Sequence, residues 1–142
     1  MNESPTSVLF LCVANSARSQ MAEALARALA PENVAIWSAG SEPAGEVNPL
    51  AIRALAEIGI DIRGAHPKGL DAIPTDKVQV AVTLCAEEVC PVFPGPVQRL
   101  HWPLPDPASA VGDEEARFTA FRETRDQLRE KIAALFGTAR SS

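Results

Sequence analysis

The residues able to do covalent or acid–base chemistry in this sequence of 142 residues are few, and they stand at turning points of the chain. Cys12 and Arg18 bracket Val13-Ala14-Asn15-Ser16-Ala17, and Ser19 follows at once. Cys85 and Cys90 come later, and Asp106 stands directly before Pro107. A cysteine, five residues and an arginine can hold a tetrahedral oxyanion against a nucleophile. The guanidinium offers a planar fork for two oxygens. The backbone N–H groups of Val13, Ala14, Asn15, Ser16 and Ala17 can complete the cradle. The spacing alone arises often by chance, with Cys12 a packed thiol and Arg18 a surface charge. Position in the chain separates the two readings.

Cys12 follows Val8-Leu9-Phe10-Leu11, an apolar run without alternation that reads as a strand buried on both faces. From Ser19 to Leu29, the residues Met21, Ala24, Leu25, Ala28 and Leu29 form a helical stripe that Pro31 ends. The run from Cys12 to Ser19 therefore lies where a strand turns into a helix. A helix start carries unpaired N–H groups and the positive end of the dipole, which together attract anions. The same field favours the thiolate of Cys12, the nucleophilic form. Ser19 can donate a hydrogen bond to that thiolate. Asn15 tolerates the left-handed backbone that a tight loop often needs, in a loop that has no glycine.

Further along, Val34 to Trp37 reads as a second strand. Asn48 and Pro49 read as the cap and first turn of a helix that carries Leu50, Leu55 and Ile58 and stops at Gly59. Val78 to Leu84 predicts a third strand, followed by a loop with Pro91, Pro94 and Pro96; Leu100 to Trp102 predicts a last one. Phe118, Phe121, Leu128, Ile132, Leu135 and Phe136 share one face of a long helix closed by Gly137. Strands alternating with helices imply an open α/β sheet with right-handed crossovers. Cys12, Cys85 and Asp106 each follow a strand-like run, so a parallel sheet brings all three to its carboxyl edge, where such sheets bind ligands.

The chain length suits one domain with one core. No apolar run approaches the roughly 20 residues of a membrane span, and the first seven residues lack the basic start of a secretory signal. A net charge of -5 argues against broad nucleic-acid binding. Three cysteines without an export signal suggest reduced, cytoplasmic thiols rather than a disulfide framework. Cys85 and Cys90 can be packed core thiols, or can join His101 in a metal site, although one pair without a second is a weak zinc signal. Asp106 before Pro107 is equally readable as a turn former or as a general acid.

The run Cys12 to Ser19 resembles the oxyanion loop of the low-molecular-weight protein tyrosine phosphatase superfamily. Its extension through Gln20-Met21-Ala22-Glu23 resembles the thioredoxin-coupled arsenate reductases, where the phosphatases usually have proline in place of Gln20. Ser38-Ala39-Gly40, Asn48-Pro49-Leu50-Ala51-Ile52, Val82-Thr83-Leu84-Cys85, Cys90-Pro91-Val92, His101-Trp102 and Asp106-Pro107-Ala108 extend the resemblance over roughly residues 7 to 136. It implies one domain over residues 1–142 with an open four-stranded parallel sheet flanked by helices, in flavodoxin-like order. It implies that Cys12 attacks arsenate and that Arg18 and the loop from Val13 to Ala17 hold the oxyanion, with phosphate or sulfate as analogues. Asp106 would serve as the acid and Ser19 as the support of the thiolate. Disulfides would pass from Cys12–Cys85 to Cys85–Cys90, and thioredoxin would reduce the last. No nucleic acid, membrane or tightly bound cofactor is implied.

Four departures bear on these expectations. Ala17 stands where some relatives have a further, non-catalytic cysteine. The gap between Cys85 and Cys90 is short: residues five apart in a helix rise about 7.5 Å, beyond the roughly 4.4–6.8 Å between Cα atoms that a disulfide prefers, so the segment must not be helical when the bridge forms. Some relatives bind a monovalent cation behind the loop. Asn15, Glu23 and Ser38 match that site, but Gly64 to Lys68 lacks the expected hydroxyl and carboxylate, and Lys68 can place an ammonium there, which leaves a potassium ion and an ammonium as alternatives. The chain has no tyrosine, and Ala108 and Ser109 leave no aromatic wall for a phenyl substrate. The competing functions are a phosphatase and a protein that binds oxyanions or trivalent arsenic without turnover.

Overall fold

The computed structural model describes residues 5–86, 93 and 95–137. Four parallel strands, β1 (Ser7–Cys12), β2 (Ala35–Gly40), β3 (Val80–Thr83) and β4 (Gln98–His101), form a sheet in the order β2-β1-β3-β4. Three α-helices accompany it: α1 (Arg18–Leu29), α2 (Pro49–Ala56) and α3 (Glu114–Phe136). This is the expected open parallel sheet.

The unbroken apolar run of β1 is explained by its central place in the sheet. Every residue of β1 is buried, and alternate side chains serve opposite faces. Val8 and Phe10 enter a large cluster with the buried faces of α1, α2 and α3. Leu9 and Leu11 enter a smaller cluster with Ala39, Ile73, Val78, Ala81 and Phe93. That second face is covered by the chain around the 3-10 turns Leu70–Ala72 and Thr75–Lys77 rather than by a long helix. Short turns of this kind have too little periodicity to register in the sequence. Burying one such leucine side chain contributes roughly 1.5–3 kcal/mol, so both faces of β1 hold it firmly.

The helix ends follow their local chemistry. The Asn48 side chain accepts from Leu50 N at 2.9 Å, with Pro49 in the first turn of α2. Gly137 closes α3 at φ 68°, in the left-handed region. The strand expected over Leu100 to Trp102 instead covers Gln98–His101. An edge strand is defined by backbone pairing with β3, and its side chains are largely exposed, so an apolar pattern marks it poorly. Trp102 packs on the core with its ring centroid 6.2 Å from that of Phe10.

Register sets the carboxyl edge. Leu11 pairs with Thr83, Thr83 with His101, and Cys12 with Gly40. Leu84 N donates to Leu11 O at 3.0 Å, and Leu104 N donates to Leu84 O at 3.1 Å. The chain beyond β1, β3 and β4 thus stays laced together at the edge where Cys12, Cys85 and Asp106 occur.

Candidate active site

The loop between β1 and α1 is a cup whose carbonyls are turned outward. Val13 O accepts from Glu42 N at 2.8 Å, Ala14 O from Ala44 N at 2.9 Å and Ser16 O from Asn48 N at 2.8 Å. Asn15 O accepts from the Gln20 side-chain amide at 3.2 Å. In a trans peptide the N–H points opposite to the C=O, so the N–H groups of Ala14, Asn15, Ser16 and Ala17 face the other way, into the cup. The N–H of Asn15 lies 3.3 Å from Cys12 Sγ. Ala17, at the start of α1, makes no side-chain cap, and the first turn of α1 has no acidic residue. The positive end of that helix is therefore available to an anion.

Asn15 has φ 52°, the one positive value outside glycine among the described residues, as the tight loop required. Its side chain is wholly buried, and its orientation is fixed from both ends. The amide oxygen accepts from Gln20 Nε2 at 2.9 Å and Lys68 N at 2.9 Å. The amide nitrogen donates to Ser19 Oγ at 2.7 Å and Ser38 Oγ at 3.0 Å. Ser38 Oγ in turn donates to Glu23 Oε1 at 2.5 Å.

These bonds fix a proton order. The hydroxyl of Ser38 is spent on Glu23, and both amide protons of Asn15 are spent on the two serines. Ser19 Oγ accepts from Asn15 and lies 2.9 Å from Cys12 Sγ, so its own proton can be donated to a thiolate there. Asn15 N–H donates to the sulfur and Ser19 O–H is placed to do so, an arrangement that suits a thiolate. Cys12 is a free cysteine and is 2% exposed.

Arg18 is 4% exposed, and its Nη1 donates to Leu104 O at 2.8 Å and to Leu84 O at 3.4 Å. One guanidinium thereby joins the start of α1 to the backbone just before Cys85 and just before Asp106. The convergence expected from a parallel sheet is present. Cys85 is 2% exposed and disulfide-bonded. Cys90 lies outside the described residues, as do Pro91 and Pro94. The Asp106 carboxylate accepts from Ala108 N at 3.0 Å and caps the 3-10 turn Pro107–Ser109. Asp106 also lines a cleft of about 480 Å³, with Ala86 and Pro105 on one side and Thr124 and Gln127 of α3 on the other.

Two positions contribute more than their letters suggested. A Cβ on Gly40 would collide with the Val13 carbonyl and lie 2.9 Å from Asn15 N, so only glycine lets β2 support the loop this closely. Leu104 contributes only its carbonyl, which no side-chain pattern reveals. His101 is bonded through Nδ1 to Thr83 Oγ1 at 2.7 Å. No group of three or more His, Cys, Asp or Glu able to hold a metal ion occurs among the described residues.

The groups matched to a cation site are already engaged. Lys68 Nζ lies 3.3 Å from Glu23 Oε1 and 3.2 Å from Ser38 Oγ. Arg27 Nη2 lies 2.6 Å from Glu23 Oε2.

A parallel sheet in the order β2-β1-β3-β4 with a cysteine–arginine anion cup after its central strand defines a phosphatase-like class. The chain belongs to the low molecular weight phosphotyrosine protein phosphatase family, whose profile matches residues 7–141. Within it, the chain is 39% identical over 135 residues to an arsenate reductase of Halalkalibacterium halodurans, covering 94% of this chain and 96% of that one. A solved arsenate reductase in its phosphate-binding state superposes with a TM-score of 0.78 at 32% identity, over 94% of this chain and 98% of its own. The thioredoxin-dependent arsenate reductase of Corynebacterium glutamicum matches with a TM-score of 0.67 at 33% identity, over 96% of this chain and 64% of its own.

Proposed function

We propose that this chain is a cytoplasmic arsenate reductase, a single domain in which Cys12, Cys85 and Cys90 act in turn and thioredoxin restores the thiols. The observation that carries the reading is the placement of the groups: the Cys12 sulfur accepts from Asn15 N–H and lies beside Ser19 Oγ, and Arg18 binds the backbone carbonyls of Leu84, next to Cys85, and of Leu104, near Asp106.

In the first step the Cys12 thiolate attacks arsenic while the amides of the cup and Arg18 hold the remaining oxygens. Asp106 donates a proton to the departing oxygen, which leaves as water, and an S–As bond has formed. Cys85 then attacks the Cys12 sulfur as a thiolate. The S–As bond breaks, its electron pair passes to arsenic, and arsenic falls from the +5 to the +3 state as a Cys12–Cys85 disulfide forms. Cys90 attacks Cys85 and expels the Cys12 thiolate, and a dithiol of thioredoxin reduces the Cys85–Cys90 bond by exchange. Phosphate is a tetrahedral analogue of arsenate, so slow phosphatase turnover is expected beside the main reaction.

The test is NADPH consumption with thioredoxin and thioredoxin reductase, repeated with glutaredoxin and glutathione. Arsenate-dependent consumption in the thioredoxin system is expected. Steady hydrolysis of an aryl phosphate with no arsenate-dependent consumption in either system would make the protein a phosphatase instead.

A further inference from the structure

The cluster behind the anion cup is built around an ammonium where the resemblance foresees a monovalent cation. Every side-chain oxygen that such an ion would need is already used. Glu23 Oε1 accepts from Ser38 at 2.5 Å and from Lys68 Nζ at 3.3 Å, and Glu23 Oε2 faces Arg27 at 2.6 Å. Ser38 Oγ receives the Asn15 amide at 3.0 Å and Lys68 Nζ at 3.2 Å. Asn15 Oδ1 receives Gln20 Nε2 and Lys68 N, each at 2.9 Å. These residues do not fit potassium.

Lys68 is also locked at its backbone. Its N–H donates to Asn15, as above, and its carbonyl accepts from Gly40 N at 2.9 Å. The side chain is 24% exposed and that of Glu23 is 15% exposed, so the pair is sheltered without being sealed. Charge counting then matters. One carboxylate, Glu23, faces two cations, Arg27 and Lys68, which leaves a net positive charge behind the cup. The ammonium also holds the Glu23 carboxylate in place as the acceptor for Ser38, and that is the first link in the chain ending at Cys12.

We propose that Lys68 is the built-in cation of this site: a positioning residue that holds the Glu23–Ser38–Asn15–Ser19 chain aligned on the Cys12 thiolate and makes the protein independent of potassium. The inference rests on Cys12 being the reactive thiol, and its test must separate the two ideas. Cys12 reactivity gives a readout that does not require arsenate turnover. With Cys85 disulfide-bonded, iodoacetamide labels Cys12, and mass spectrometry of its peptide gives the rate.

For the wild type, labelling near pH 6.5 proceeds at equal rates in potassium, sodium and tetramethylammonium chloride at one ionic strength. Lys68→Ala and Lys68→Gln label about tenfold more slowly in tetramethylammonium chloride, and in Lys68→Ala potassium restores the rate severalfold by entering the space that the ammonium leaves. Circular dichroism establishes that each variant is folded, and Lys68→Gln and the wild-type salt series decide the matter if Lys68→Ala is not. Several-fold faster wild-type labelling in potassium, or wild-type labelling rates in both variants, would overturn the proposal. Failure of the wild type to label at Cys12 faster than an unstructured cysteine would overturn the reactive-thiol reading, and the role of Lys68 with it.

Discussion

Glu23 and Glu57 are each gripped by two cations, and the two clusters have opposite purposes. Glu23 lies between Arg27 at 2.6 Å and Lys68 at 3.3 Å. Glu57 lies between Arg122 at 2.7 Å and Arg125 at 2.8 Å. Glu57 caps α2, a helix of eight residues that would be marginal alone in water. Arg125 also donates to Ala54 O at 2.7 Å. Arg53 and Arg122 lie over the Phe118 ring at 4.1 and 4.2 Å. That cluster fastens α2 to α3 and ends there. The Glu23 cluster continues through Ser38, Asn15 and Ser19 to a sulfur. A charge pair that terminates in packing stabilises; one that continues into oriented hydroxyl and amide groups sets a reactive atom. The rule is useful because charge counts and distances alone look alike in the two places.

The largest effect is expected at the sulfur. Cys12→Ser should abolish arsenate reduction and aryl phosphate hydrolysis together while leaving the thermal midpoint nearly unchanged. Hydrolysis above a buffer blank in this variant would remove Cys12 from the chemistry. Arg18→Lys keeps the charge but loses the guanidinium, whose Nη1 joins α1 to Leu84 and Leu104 and whose planar fork would hold two oxygens of the anion. A loss of about a hundredfold in kcat/KM for arsenate is expected, comparable with removing one oxyanion donor. A wild-type value would return Arg18 to a structural role.

Much of this arrangement was legible in the sequence, and the reasons are physical. The loop from Cys12 to Ser19 was readable because an uninterrupted apolar strand and a helical stripe ended by Pro31 bracket it. The left-handed Asn15 was readable because few residues other than glycine accept that backbone. The cap at Asn48 and the stop at Gly137 follow from local hydrogen bonding. The outward carbonyls of Val13, Ala14 and Ser16 were not readable, because their partners at Glu42, Ala44 and Asn48 are backbone groups that any residue supplies. The edge strand Gln98–His101 was displaced in the sequence reading for the same reason. Asp106 both accepts from Ala108 N and lines a cleft, and the sequence alone did not reveal that the two coexist.

Smaller effects sharpen the contrast. Ser19→Ala removes the hydroxyl proton aimed at Cys12 Sγ. It should slow Cys12 alkylation below neutral pH by about tenfold, which corresponds to about 1.4 kcal/mol. An unchanged rate would show that the proton order is not functional. Glu57→Gln should behave in the reverse way, with kcat/KM unchanged and a midpoint lower by a few degrees at most, as half-exposed ion pairs contribute little. The hydrogen bonds from Arg122 and Arg125 hold the Glu57 carboxyl down to about 2, against an ordinary 4.5. A depressed carboxylate stabilises the fold above its unfolded value and loses that effect as the pH falls through its folded value. The gap between wild type and Glu57→Gln is therefore full at pH 7 and closes between about pH 4.5 and 2. A gap that persists undiminished at pH 2 would assign the effect to packing.

The central claim is that one sulfur binds arsenic and a second, specific sulfur takes it off. Single-turnover arsenite release by Cys90→Ser and Cys85→Ser, with peptide mapping under non-reducing conditions, tests it most directly. Cys90→Ser retains the first two steps, so it should release one arsenite per protein and stall as Cys12–Cys85. Cys85→Ser should release none without an added thiol, and both should keep phosphatase activity. Full turnover of Cys90→Ser with thioredoxin, or a Cys12–Cys90 bond in the wild-type cycle, would contradict the relay.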